Sequence, residues 1–257
     1  MLTQYGTFNC FTCKEKGGLA HLIGACFDEG DDYGKRWLIS NFGKPLSSRE
    51  FHLESIKLNR SEDKPILDES VLDTFQKYHP YMTQRKLTNK VINDFKVRYD
   101  PNTKCIVFPV WDENDNLIFL TRRNVEWKQF YIPKGVDKPI YLLNYVKKFN
   151  IDTVVVVESQ INCLTCWSYG VPSIALFGSS LTNYQRDILN RSNIRHYILA
   201  LDNDDAGKKG VERFMSMIRK DVFIDVVEVP PNRDVNDLTK DEFEFYFRKY
   251  FRLEGEN

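Results

Sequence analysis

The second half of the chain is built from short, unbroken apolar runs, each ending in acidic or small polar residues. Val154 to Val157 is four consecutive valines followed by Glu158. Tyr197 to Leu201 reads YILAL and runs into Asp202-Asn203-Asp204-Asp205-Ala206-Gly207. Runs of this length with no polar alternation predict strands buried on both faces, as in a parallel sheet. The segments between them have helical character. A helix over 159–169 ends at Gly170, a favourable residue just past a helix end. Ser173 to Phe177 predicts another strand, Gly178-Ser179-Ser180 a small-residue loop, and Thr182 the cap of the next helix. A helix then runs from Asp205 to about Arg219, Val222 to Val229 gives a fourth strand, and Pro230 to Asp237 closes the unit. The alternation of strand and helix is the signature of an α/β fold.

The first half follows other rhythms. LAHLIGACF, from Leu19 to Phe27, reads as an apolar helix. Asp28 to Asp63 is mixed and polar and is taken as a connector, with one strand from the alternation of Phe51 to Leu58. Val71, Leu72 and Phe75 recur at helical spacing. Thr83 to Thr88 opens another helix, with Thr88 capping it ahead of Val91 and Ile92. Cys105 to Trp111 and Leu117 to Arg123 form a hairpin around an Asn/Asp turn at 112–116. A short loop follows in which Lys128, Lys134 and Lys138 are interleaved with Trp127, Phe130 and Tyr131. Lys240 to Asn257 reads as a charged helix and tail.

Composition narrows the picture only in places. Lys plus Arg and Asp plus Glu both total 36, so net charge gives no argument for a nucleic-acid partner and any basic surface is local. No apolar run reaches the length of a membrane span, and the first residues lack the basic and apolar regions of a signal peptide. The expectation from these features is a soluble intracellular protein, and the family resemblance given below implies the cytoplasm of a bacterium or a phage-infected cell. Six cysteines in 257 residues are too sparse for a disulfide framework. Cys10 and Cys13 have the spacing of half a tetrahedral zinc site, but no Cys or His precedes them, and His21 and Cys26 fall in the apolar helix. Cys163 and Cys166 read as small core residues within a helix.

The candidate chemistry lies at the strand ends. In parallel α/β sheets, sites form at the carboxyl ends of strands. Asp202 and Asp204 point to one side of an extended segment. With Glu158 they make a hard-oxygen set suited to Mg²⁺ or Mn²⁺, and without a cation they repel one another. A lone DxD is usually a turn; the flanking strands raise its weight. The Lys and aromatic loop offers cations for phosphates and flat surfaces for unpaired bases.

These elements together resemble the Toprim domain of bacterial- and phage-type DNA primases. The matching parts are the apolar strand ending in Glu158, Ala175-Leu176-Phe177-Gly178, and Asp202 to Gly207. RKLTNKVINDF, IVFPVWDENDNLIFLTRR and FYIPKGVDKPIYLLN resemble the helix, hairpin and loop that precede Toprim in primase cores. FNCFTCKEKGG resembles the second half of a primase zinc ribbon. The resemblance implies a partial zinc ribbon over 1–27, a connector over 28–69, a basic α+β primase subdomain over 70–150, a Toprim domain over 151–238, and a C-terminal helix and tail over 239–257. It implies Glu158, Asp202 and Asp204 as catalytic residues, joined by Asp234 as metal ligands for Mg²⁺ or Mn²⁺. Arg122, Arg123, Lys134 and Lys138 would bind nucleotide or template, and Cys10 and Cys13 would supply part of a Zn²⁺ site. Asn162 departs from the pattern, which has Asp there; it keeps an oxygen but not the charge.

The implied activity is synthesis of short RNA primers on single-stranded DNA from ribonucleoside triphosphates. No GxxxxGK[ST] phosphate loop occurs, so the expected helicase partner is a separate polypeptide. Two other readings use the same residues: a Toprim nuclease, and a single-strand-binding module without catalysis.

Overall fold

The computed structural model describes residues 7–9, 16–27, 29–42, 66–133, 136–231 and 233–251. The chain divides into two compact units, Met1–Arg60 and Ser61–Asn257. In the first, β1 (Thr7–Asn9) pairs antiparallel with β2 (Lys16–Gly18), followed by α1 (Leu19–Cys26) and α2 (Asp31–Phe42). The expected apolar helix is α1. The second helix lies within the stretch 28–63 read as a connector carrying some short structure. Tyr33, Gly34, Trp37 and Leu38 make its less exposed stripe. Gly34 is required there, since a Cβ would fall 1.9 Å from the carbonyl oxygen of Ala20. Cys10, Cys13 and the expected strand at 51–58 lie outside the described residues.

The second unit contains two four-stranded sheets. The first is antiparallel, in the order β3 (Arg98–Asp100), β4 (Cys105–Trp111), β5 (Leu117–Asn124) and β6 (Phe130–Tyr131). Strands β4 and β5 are the expected hairpin. Asp112 holds its turn, accepting hydrogen bonds from the Asn114 and Asn116 amides and from the Asn116 side chain. Ahead of the sheet lie α3 (Pro80–Gln84) and α4 (Asn89–Asp94). Thr88 caps α4 as expected, through Val91 N. The Val71 region forms a single 3-10 segment, Glu69–Thr74. Residues 85–88 link the two helices rather than opening the second. There Lys86 adopts a left-handed backbone, at φ 63°.

The other sheet is parallel. Its strands, in chain order, are β7 (Thr153–Val157), β8 (Ser173–Ala175), β9 (His196–Leu199) and β10 (Phe223–Val226), and across the sheet they run β10-β9-β7-β8. Helices α5 (Leu143–Lys148), α6 (Gln160–Ser168), α7 (Asn183–Asn190), α8 (Asp205–Met217) and α9 (Lys240–Phe247) complete the unit. The four valines of β7 are fully buried and divide by parity. Val155 and Val157 face one apolar cluster, Val154 and Val156 another. Each contributes roughly 1.5–3 kcal/mol by leaving water. That two-sided burial is why the run has no polar alternation.

The cluster containing Val155 also takes in Ile106 and Phe108 of β4 and Phe243 and Phe247 of α9. The antiparallel sheet, one face of the parallel sheet and the C-terminal helix therefore share a core. Gln160 bridges the sheets, donating from Nε2 to Thr121 Oγ1 over 2.9 Å within the buried interior. Cys163 and Cys166 are fully buried, and burial pushes both thiols up, Cys166 to about 12. They are core residues, as read.

Candidate active site at the ends of the parallel strands

Strands β7, β8 and β9 leave the sheet side by side, so the residues that follow them meet. Glu158 follows β7 and joins the other two strand ends. Its backbone oxygen accepts from Gly178 N, beyond β8, at 3.0 Å. Its Oε1 accepts from Asp202 N, beyond β9, at 3.2 Å. The loop after β8 turns through Phe177 at φ 61° and Gly178 at φ 143°. The second of these favours glycine.

The carboxylates feel one another. Glu158 is pushed up to about 7, first by burial and then by Asp202, with a smaller contribution from Asp204. Asp202 is raised by burial, then by Asp234 and Asp204, while Lys128 pulls it down and Asp237 adds to the rise. Residues 158, 202, 204 and 234 thus form one electrostatic group with too little positive charge around it.

Of these side chains, those of Glu158, Asp204 and Asp234 are also tied locally. Asp204 caps α8, accepting from Gly207 N at 2.8 Å. Gly207 is needed for close approach rather than for a left-handed turn: a Cβ would lie 1.9 Å from the Asp202 carbonyl oxygen. Asp234 and Asp237 cap each other's amides around the 3-10 turn Val235–Asp237. Among the described residues no three His, Cys, Asp or Glu side chains stand as a ready metal-ligand group. Glu158, Asp204 and Asp234 each spend an oxygen on a backbone amide. The donor chemistry, carboxylates only, still fits a hard divalent cation.

Position 162 has a different part. Asn162 is buried, and its Oδ1 accepts from Asn236 N at 3.3 Å. The Asn236 side chain donates to Arg85 O at 2.7 Å and to Thr165 Oγ1 at 2.8 Å. Lys86 Nζ donates to the carbonyls of Asn236 and Leu238. Asn162 therefore fastens the turn bearing Asp234 to α6, holding the site through hydrogen bonds. The left-handed backbone of Lys86 is offset by the two carbonyls its ammonium reaches.

The basic residues separate. Arg123 shares a face of β5 with Thr121, the residue that meets α6; its Nε donates to Tyr81 OH at 2.8 Å and its guanidinium lies over Phe130. Arg122, one residue earlier, points to the opposite face, over Phe75 and 3.8 Å from Asp100. Neighbours on a strand face opposite ways, so of the two arginines expected to bind nucleotide or template, Arg123 is on the side facing the parallel sheet and Arg122 is on the other. Lys138 donates to Phe177 O at 3.3 Å, beside the loop that Glu158 holds. Lys134 lies outside the described residues. Lys128, which acts on Asp202, and Asp237 were absent from the expected set. The Lys-aromatic loop signalled the first, and the Asp-x-x-Asp spacing of 234 and 237 the second.

A family profile described as Toprim-like matches residues 155–239, the stretch that carries these strand ends. The chain is 26% identical over 163 residues to a DNA primase of Clostridium acetobutylicum, covering 58% of this chain and 27% of that protein. It thus spans about a quarter of that relative's length. Its structure resembles the zinc-binding and RNA polymerase domains of Aquifex aeolicus primase, with a TM-score of 0.58 at 17% identity, over 95% of this chain and 72% of that one. It also resembles the primase fragment of the bacteriophage T7 primase-helicase protein, with a TM-score of 0.57 at 15% identity, over 96% and 91%. The chain carries a Toprim-like domain. More narrowly, that domain is set in the fold of a primase catalytic core, with the antiparallel sheet packed against it.

Proposed function

We propose that this chain is the catalytic core of a DNA primase, joining ribonucleotides into short primers on a single-stranded DNA template. The observation that carries the reading is the meeting of Glu158 with Asp202, and of Asp202 with Asp204 and Asp234, at the strand ends of a primase-type core. Glu158, Asp202, Asp204 and Asp234 would hold Mg²⁺ or Mn²⁺. Such an ion lowers the pKa of a primer 3′-hydroxyl and offsets charge developing on the phosphoryl oxygens. In the reaction the 3′-hydroxyl gives up its proton to solvent and its oxygen bonds to the α-phosphorus of the incoming nucleotide, while the bond from that phosphorus to the oxygen bridging to the β-phosphate breaks and pyrophosphate leaves with that oxygen. Lys128 and Lys138, on the same rim, would hold triphosphate oxygens, and Arg123 the template or nucleotide phosphate. The motor that opens duplex DNA would be a separate protein.

The test is template-dependent incorporation of ribonucleotides on single-stranded DNA with Mg²⁺ or Mn²⁺. Asp202→Asn combined with Asp204→Asn is the informative variant, because Asn caps a helix nearly as well as Asp while carrying no charge. The loss expected is several kcal/mol of transition-state stabilisation, roughly a hundred- to a thousand-fold in rate. Undiminished synthesis by that variant would overturn the assignment.

A further inference from the structure

The loop between β5 and β6 holds the most exposed tryptophan among the described residues, on a hydrogen-bonded backbone. Trp127 is 64% exposed. It makes no ring or cation contact among the described residues. The backbone beneath it is held by a series of hydrogen bonds. Asn124, itself buried, accepts from Glu126 N at 2.8 Å and Trp127 N at 3.0 Å through one Oδ1. Its own amide donates to Gln129 O, Gln129 N donates to Trp127 O, and Val125 N donates to Lys104 O. Lys104 and Glu126 pair across the base of the loop at 2.8 Å. A large apolar ring left in water gains nothing for folding, while the loop below it is ordered in advance. The next residue, Lys128, acts on Asp202, so this loop borders the acidic rim.

We propose that Trp127 is a stacking platform for one base of single-stranded DNA. The inference rests on the reading above that this face of the chain meets a template. Every base has a flat face, so an indole held ready accepts any of them, and its fixed backbone removes much of the ordering cost of binding. Lys128 and Arg123 supply cations for the neighbouring phosphates, which leaves the base itself to Trp127.

The experiment measures anisotropy of two labelled oligomers of equal length on the whole chain: oligothymidylate, and an abasic deoxyribose-phosphate strand. Trp127→Ala should weaken oligothymidylate binding roughly five- to one-hundred-fold, with Trp127→Phe recovering most of it. Abasic binding should be the same in wild type and both variants, with an unchanged salt slope, since no charge is removed. Equal oligothymidylate affinity in wild type and Trp127→Ala overturns the proposal. So does an equal loss on both strands, because the residue would then act without a base. Primer synthesis is scored separately. A chain that makes no primers yet shows the base-dependent Trp127 effect keeps this inference and loses the functional reading. A chain that makes primers with no Trp127 effect does the reverse.

Discussion

The parallel and antiparallel sheets use their strands in opposite ways. The parallel sheet presents its chemistry beyond the strand ends. Glu158, Gly178 and Asp202 lie on three adjacent strand exits, and one glutamate reaches both of the others. The antiparallel sheet carries its charge within a strand, at Arg122 and Arg123, and the pleat sends them to opposite sides. Strand exits gather residues that are far apart in sequence; strand interiors divide residues that are adjacent. A site assembled at exits tolerates long insertions between its members, whereas one built inside a strand depends on register to the residue.

The exchange of Asp202 and Asp204 for Asn has the largest effect expected, confined to synthesis. Next comes the support beneath the exits. Replacing the fully buried Ile198 of β9, Ile198→Ala, should cost about 3 kcal/mol in denaturant unfolding, as a large-to-small change with little room to collapse. A cost below about 1 kcal/mol would show that the core beneath the strand exits readjusts around the missing atoms. Asn162→Asp should lose about 1–3 kcal/mol by burying a charge. Because Asn162 Oδ1 is turned onto Asn236 N, the loss should persist when Mg²⁺ is added. Full recovery with Mg²⁺ would place residue 162 among the cation's ligands instead.

The two arginines test the other sheet. Arg123→Ala should weaken oligonucleotide binding by about 1.5–3 kcal/mol, roughly ten- to one-hundred-fold, as a charged hydrogen bond is lost. Arg122→Ala should leave binding near wild type and lower stability by about 1 kcal/mol through lost packing on Phe75 and lost pairing with Asp100. Equal binding losses would erase the distinction between the faces. The subtlest effect is the pH dependence of metal-free stability. Glu158 holds its proton more tightly folded than unfolded, since its pKa is raised from 4.5 to about 7. Its contribution is therefore favourable below about 4.5, falls as pH rises to about 7, and is flat beyond. Glu158→Gln should flatten that decline in a thermal unfolding series, and a decline that survives the substitution would assign it to another group.

Much of this was readable from sequence for a physical reason. Val154 to Val157 is apolar throughout because both its faces are covered, and the hairpin is clear because Asp112 and Asn116 hold its turn. The acidic rim followed from those strands. What was hidden depends on distant partners or on parity. Asn162 meets Asn236, seventy-four positions away, and no local pattern records that. The separation of Arg122 from Arg123 needs the face of β5 that meets α6. Helix α2 was hidden because its stripe of Tyr33, Trp37 and Leu38 is narrow, and Gly34 reads as a breaker until the carbonyl of Ala20 is seen against it.

The bonds that Lys86 donates to the turn at Asn236, and that Asn236 donates back to the Arg85 carbonyl, have a consequence for biosynthesis. They span about 150 positions, and the aromatic residues of α9 seal the same core later still. Long-range closures of this kind form late in folding. On the ribosome, Glu158 and Asp202 emerge well before the loop carrying Asp234 can be locked in place. A nascent chain would therefore show an immature acidic pocket until α9 has emerged and packed.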